Sequence, residues 1–228
     1  MNTAATLATP PQRFDSTAIA AVYDAIHLRR DMRHFCGGEI AADMLRRLLE
    51  AAHAAPSVGL SQPWRLLRIT DASLREAIHA EVGAEVQRTA EALGERRDEF
   101  LKLKVEGVRD CAELLVVAVD DGQGCEVFGC RTLPEMALAS AACAIQNLWL
   151  AARAEGLGMG WVSMFEPAVL ATLLRLPPGV KPIAVLCLGP VREFYAAPML
   201  QLERWREPRP LSALLHENRW PDTASPIA

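Results

Sequence analysis

The sequence predicts one α+β or α/β domain spanning its 228 residues. Three observations carry that expectation. Helical patterns stand before, between and after short apolar runs that suit buried strands. Hydrophobic residues make up 51% and charged residues 23%, the balance of a folded core and not of a disordered chain. No shift in composition marks a linker, so residues 1–228 read as a single domain, with a flexible leader at 1–15 and an extended tail at 191–228.

Taken in order, Ser16 is the expected N-cap of a helix over residues 17–28, with Ile19, Val22, Tyr23 and Ile26 on one side. A cationic turn follows at 29–33. Residues 42–54 form an amphipathic helix, because Met44, Leu45, Leu48, Leu49 and Ala52 recur at spacings of three and four. Pro56 and Gly59 break it. Residues 64–70 read as a strand and 71–93 as a polar helix; after Gly94 a charged helix resumes over 95–108. The run 114–119, LLVVAV, suits a strand buried on both faces. A loop at 121–124 separates it from a long helix over 134–155, closed by Gly156. That helix is apolar around most of its circumference, which predicts burial in the centre or at a subunit interface. Strands at 158–165 and 183–188 flank a short helix at 166–174, and the proline-bearing tail has little periodicity.

Composition narrows the function. Lys plus Arg is 24 against 28 Asp plus Glu, a net charge of −4 that disfavours non-specific nucleic-acid binding. No run reaches the roughly 18 uninterrupted apolar residues of a membrane helix; the longest, 137–152, is broken by Ser140, Gln146 and Asn147. Residues 1–11 lack the basic start and apolar centre of a signal peptide. The six cysteines form no CxxC pair and read as reduced thiols of a cytoplasmic protein, with Cys111, Cys143 and Cys187 in apolar, core-like segments. His27, His34, His53, His79 and His216 share no metal-ligand spacing, so no metal is expected.

Three segments could carry chemistry. Arg29, Arg30 and Arg33 crowd guanidinium forks that match phosphate geometry, or else form a solvated helix end favoured by the helix dipole. Asp31 between them is either an ion-pair spacer or, with the arginines otherwise engaged, a group facing a reaction centre. Residues 54–64 offer Ser57, Ser61 and Gln62 with free N–H groups, which suits the edge of a flat heterocycle; no GxSxG surrounds either serine. Gly158 and Gly160, before Trp161, Val162 and Ser163, let backbone approach a ligand closely or are forced by packing. There is no GxGxxG and no P-loop.

The turn RRDMR, then residues 50–65, 133–140 and 143–163, occur in an order that resembles the nitroreductase-like FMN flavoproteins over residues 23–220. Within that family they resemble the aerobic branch that breaks down reduced FMN to 5,6-dimethylbenzimidazole, the lower ligand of cobalamin. Asp31 at the third position of the arginine turn, where the wider family commonly has a small polar residue, and Ser163 after Gly-Trp-Val both fit the branch. The resemblance implies a nitroreductase-like α+β fold with a mostly antiparallel central sheet flanked by helices. It implies a homodimer with swapped tails and FMN at the subunit interface. Arg29, Arg30, Asp31, Met32, Arg33, Ser57 and Ser163 would line the FMN site, with Gly59 and Gln62 beside Ser57. Arg206 or Arg209 would reach the phosphate; the family's Arg-x-Arg-Leu-Pro-Leu ending is displaced here by one residue, which leaves both arginines open.

The implied reaction consumes reduced FMN and O2 and yields 5,6-dimethylbenzimidazole and erythrose 4-phosphate, with Asp31 and Ser163 managing protons. A separate flavin reductase would supply the reduced FMN, and the charged 71–108 region would form a lid. The rival readings are an NAD(P)H nitroreductase that recycles FMN, and an FMN storage or sensor protein.

Overall fold

A computed structural model describes residues 12–120 and 129–220. Residues 1–11 of the expected leader and the 121–124 loop lie outside the described residues. The chain separates into a main unit through Phe194 and a second unit, Tyr195–Ala228.

The main unit is built on one four-stranded sheet. Its strands are β1 (Trp64–Arg68), β2 (Glu113–Asp120), β3 (Gly158–Val162) and β4 (Val180–Gly189), in the order β1-β2-β4-β3, and every pairing is antiparallel. The apolar runs are continuous because both faces are covered. Leu115, Val117 and Val119 of β2 join Leu186 and Leu188 of β4 on one face, packed against α2 (Ala42–His53) and α5 (Met136–Ala154). Leu114 and Val116 join Val185 and Cys187 on the other, packed with Ile78 and Val82 of α3 (Ala72–Ala92) and Leu170 of α6 (Pro167–Leu173). The period-two alternation of a strand thus feeds two cores.

Local expectations are corrected at three elements. Helix α1 (Ser16–Leu28) is capped by Asp15, whose carboxylate accepts from Ala18 N at 2.9 Å, and not by Ser16. Its apolar side is uncovered in the single chain, with Val22 at 52% and Tyr23 at 58% exposure. The helix expected over 95–108 shrinks to a 3-10 turn and α4 (Arg97–Phe100). Beyond it Gly107 lies so close to the Phe35 ring that a Cβ there would collide, so tertiary packing overrides the helical pattern. Helix α5 buries one side, Ala141, Ile145, Leu148 and Trp149 among it, while Leu138 and Cys143 on the other are exposed, so Cys143 is not a core thiol.

The cysteines also depart from a wholly reduced set. Cys36, Cys111, Cys143 and Cys187 are free, and Cys130 is disulfide-bonded. Among the described residues no helix is long and apolar enough to cross a membrane. The second unit holds α7 (Met199–Leu202) and a 3-10 turn at Leu211–Ala213. Trp205 N and Arg206 N both donate to Leu200 O, at 2.8 and 3.3 Å, which fixes the approach to Arg206.

Candidate functional site

The arginine turn is docked on β3. Met32 N donates to Met159 O at 2.9 Å, and Asp31 bridges Met159 in parallel. The two glycines of β3 make this docking possible. A Cβ at Gly160 would collide with the Met32 carbonyl oxygen and with Arg33 Nη1, and one at Gly158 would meet Val191 and Met32. Close packing against the arginine turn requires glycine at both positions. Met32 itself is fully buried in the contact.

Arg33 and Asp31 form the centre of the turn. The Arg33 guanidinium is buried and pairs both nitrogens with the Asp31 carboxylate, Nη1 with Oδ1 and Nη2 with Oδ2, the latter at 2.5 Å. Arg33 Nη2 also donates to Trp161 O at 3.0 Å and Nη1 to Met32 O at 3.1 Å. Trp161 N returns a bond to Asp31 Oδ1 at 3.0 Å. Such a bidentate fork fixes orientation as well as charge. Arg33 is therefore turned inward, while the Asp31 side chain keeps 42% exposure.

Arg29 and Arg30 face differently. The Arg29 guanidinium sits 4.4 Å from the Trp149 ring centroid, a cation–π contact. Arg30 Nη1 donates to His27 O and Arg29 O, both at 2.8 Å, and Arg153 Nε donates to Leu28 O at 3.0 Å. These cations satisfy carbonyls that the end of α1 leaves open. Trp149 Nε1 donates to Arg30 O at 3.1 Å and so fastens the turn to α5.

The second predicted segment is a strained loop. Gly59, Leu60 and Gln62 all hold positive φ, at 55°, 56° and 45°, a conformation that costs energy for leucine and glutamine. Ser57 Oγ accepts from Gln62 N at 3.1 Å, and Ser140 of α5 accepts from Val58 N at 3.1 Å, which ties the loop to the helix. Ser61 Oγ is buried with no hydrogen-bond partner in the structure.

Ser163 lies elsewhere on the same strand path. It is exposed two residues past Trp161 and lines a cavity of about 410 Å³ whose walls include Val119, Leu138, Phe165 and Ile183, with Lys181 and Glu135 as its charged groups. Asp31 and the arginines are not among the lining residues. β3 is thus the link between the two predicted catalytic groups: Asp31 binds its Trp161 amide, and Ser163 follows its end. Below this link lie two buried thiols. Hydrogen bonding to Cys111, then burial, push the Cys187 thiol well above the usual range, while that bond draws Cys111 down. Arg206 and Arg209 belong to the second unit. Among the described residues no group of three or more His, Cys, Asp or Glu could hold a metal ion.

Sequence reasoning passed over Trp149, Ser140 and Glu81. Each is a polar group on an apolar helix face, and that pattern is the signal that could have found them.

The antiparallel sheet with helical layers on both faces and a basic turn pinned to its edge strand define an α+β protein of the nitroreductase architecture. The chain belongs to the nitroreductase family, whose sequence model matches residues 26–190. It is 41% identical over 188 residues to 5,6-dimethylbenzimidazole synthase of Rhodospirillum rubrum, covering 80% of this chain and 87% of that one. It is 35% identical over 200 residues to the enzyme of the same name from Rhodobacter capsulatus, with 86% and 96% covered. Among solved structures, iodotyrosine deiodinase bound to FMN and 3-iodo-L-tyrosine superposes with a TM-score of 0.69 at 20% identity, covering 87% of this chain and all of that one.

Proposed function

We propose that this chain is an O2-dependent 5,6-dimethylbenzimidazole synthase that consumes reduced FMN. The observation that carries the reading is the 41% identity to a synthase of that name over 80% of the chain. The donor set suits a flavin mononucleotide: Arg29 and Arg30 for a phosphate, and Ser57 for the ring edge. The strained 59–62 loop, with the orphaned Ser61 hydroxyl, has the character of a ligand loop. Met32 shapes the site from beneath, and Arg33 enters it through Asp31. Arg206 or Arg209 of the second unit is a further candidate for binding the phosphate.

Bound reduced FMN supplies the electrons for O2 and the carbon skeleton of the product. Asp31 moves a proton at Oδ2, which accepts from Arg33 Nη2 on a side chain that stays 42% exposed. Ser163 holds or relays a proton at the cavity edge. Phe165, Leu138 and Val119 exclude water beside it.

A second copy belongs to the same reading. Val22, Tyr23, Ile26 and Leu28 of α1 are 45–58% exposed, as is Leu138 of α5 at 48%, and large apolar side chains left exposed on two helices suit an interface. Swapped tails, a cytoplasmic setting and a separate reductase supplying reduced FMN complete the proposal. Light scattering at micromolar concentration should give a dimer; a monomer overturns that part.

The decisive experiment mixes the protein with reduced FMN in air and follows the flavin. Stoichiometric loss of flavin with appearance of 5,6-dimethylbenzimidazole supports the synthase. Recovery of intact FMN with steady NAD(P)H oxidation makes the chain a nitroreductase and overturns the reading.

A further inference from the structure

Ser163 and the cavity wall after it are held by a carboxylate on another helix. The segment leaves β3 at Val162, exposes Ser163, buries Phe165 in the second core and enters α6 at Pro167. Glu166 is the N-cap of α6 and makes no side-chain cap bond of its own. Its backbone N–H donates instead to Glu81 Oε1 of α3 at 2.9 Å. Glu81 is nearly buried, with 10% of its side chain exposed, and sits between the fully buried Ile78 and Val82. Arg88 Nη2 donates to the same Oε1 at 3.0 Å, and its Nε donates to Glu85 Oε2 at 2.7 Å. Phe165 and Pro167, on either side of Glu166, line the cavity together with Ser163.

A carboxylate this buried is costly unless its acceptor sites are filled. Here one oxygen takes a guanidinium from its own helix and a backbone amide from the segment that carries Ser163. The arrangement fixes the backbone three residues past Ser163 and sets the cavity wall.

We propose that Glu81, clamped by Arg88, is a positioning residue for Ser163 and the 163–167 wall, so that α3 controls whether bound reduced flavin is fragmented or returned intact. This rests on the synthase reading. Glu81 touches no reacting atom; it acts through the Glu166 amide.

The test uses the full chain with reduced FMN in air and reads 5,6-dimethylbenzimidazole formed per flavin oxidised, alongside FMN affinity, melting temperature and amide exchange over 163–170. Glu81→Ala should lower that yield by about tenfold or more, the scale at which a small misplacement acts. FMN affinity should change less than about threefold, because the arginine turn is untouched. Glu81→Gln keeps an acceptor for the Glu166 amide and should restore most of the yield. Arg88→Ala should fall between them. Exchange over 163–170 should rise in Glu81→Ala and stay low in Glu81→Gln. A wild-type yield in Glu81→Ala overturns the proposal, as does equal loss in the Ala and Gln variants. If Glu81→Ala does not fold, Glu81→Gln and Arg88→Ala decide by the same ratio. Wild-type protein that returns all flavin intact overturns the synthase reading instead, and the exchange measurements then decide the positioning alone.

Discussion

The two ends of β3 are held in different ways. At Gly158–Trp161 the strand is locked to the arginine turn by backbone bonds, by glycines with no room for a side chain and by a buried guanidinium. Past Val162 the chain leaves the sheet, and the start of α6 is held by the burial of Phe165 and by the Glu166 amide's bond to the Glu81 carboxylate. Asp31 is therefore set by several contacts at once, whereas the wall that carries Ser163 is, on the proposal above, adjusted through α3. The Asp31 carboxylate is docked on the sheet; the Ser163 hydroxyl is carried on a segment that has left it.

The largest test of this contrast is Asp31→Asn. Losing a positioned proton carrier should cut 5,6-dimethylbenzimidazole formation by about 10²–10⁴-fold. FMN affinity should stay within about tenfold, and the flavin should return intact. Arg33 then keeps a buried charge without its carboxylate, so the melting temperature should also fall. Wild-type product formation would make Asp31 a spacer for Arg33 and nothing more.

Gly160→Ala comes next and breaks the rigid end without removing a polar group. The added methyl meets the Met32 carbonyl and Arg33 Nη1, and backbone cannot yield cheaply. A cost of about 3 kcal/mol, the upper part of the range for overpacking, is expected. That lowers the melting temperature by roughly 6–12 °C in a chain of this size. An unchanged melting temperature would mean that the turn and strand are loosely docked.

Much of this frame could be read from the sequence, for identifiable reasons. β2 and β4 stood out because a sheet covered on both faces writes unbroken apolar runs. Gly156 marked the end of α5 through the positive φ it adopts. The 95–108 helix failed because its charges satisfy a helical pattern, while the packing of Gly107 on Phe35 depends on a partner 72 residues earlier. The residues of the arginine turn were legible, but their directions were not. Arg33 turns inward to the Trp161 carbonyl 128 residues along the chain, and no local spacing encodes that. Glu81 was passed over because α3 reads as a polar helix, although a carboxylate between Ile78 and Val82 interrupts its apolar stripe.

Ser163→Ala is the smaller counterpart at the adjustable end. The hydroxyl is exposed, so its loss should move the melting temperature by no more than about 2 °C. Product yield should fall by about tenfold, near or below the lower end of acid–base contributions. Activity loss with stability intact, set against Asp31→Asn where both suffer, is the signature that separates the two ends. A stability loss as large as that of Asp31→Asn would erase the distinction.

The smallest effect comes from acid and acts through α3. Asp71, the N-cap of α3, is held below its ordinary value of 3.8 first by the Ser73 hydroxyl and then by the Leu74 amide. Glu76 is held below its ordinary value of 4.5 first by its pairing with Arg109. Both values are lower in the folded chain than in the unfolded one, so the stability they add is present above the unfolded values and is lost as pH falls through the folded ones. Both groups are fully exposed, so the effect is small and screened by salt. Each anchors α3, the helix from which Glu81 holds Ser163, and neither touches the Asp31 contact. Going from about pH 6 to about pH 3, across the carboxylate range, amide protection in α3 and over 163–170 should fall before that of 158–161 does. Adding salt at pH 6 should reproduce part of the change, because it weakens the Glu76–Arg109 pair without protonating anything. If 158–161 loses protection together with α3, the two ends of β3 open as one unit, and the adjustable wall beside a fixed carboxylate does not exist.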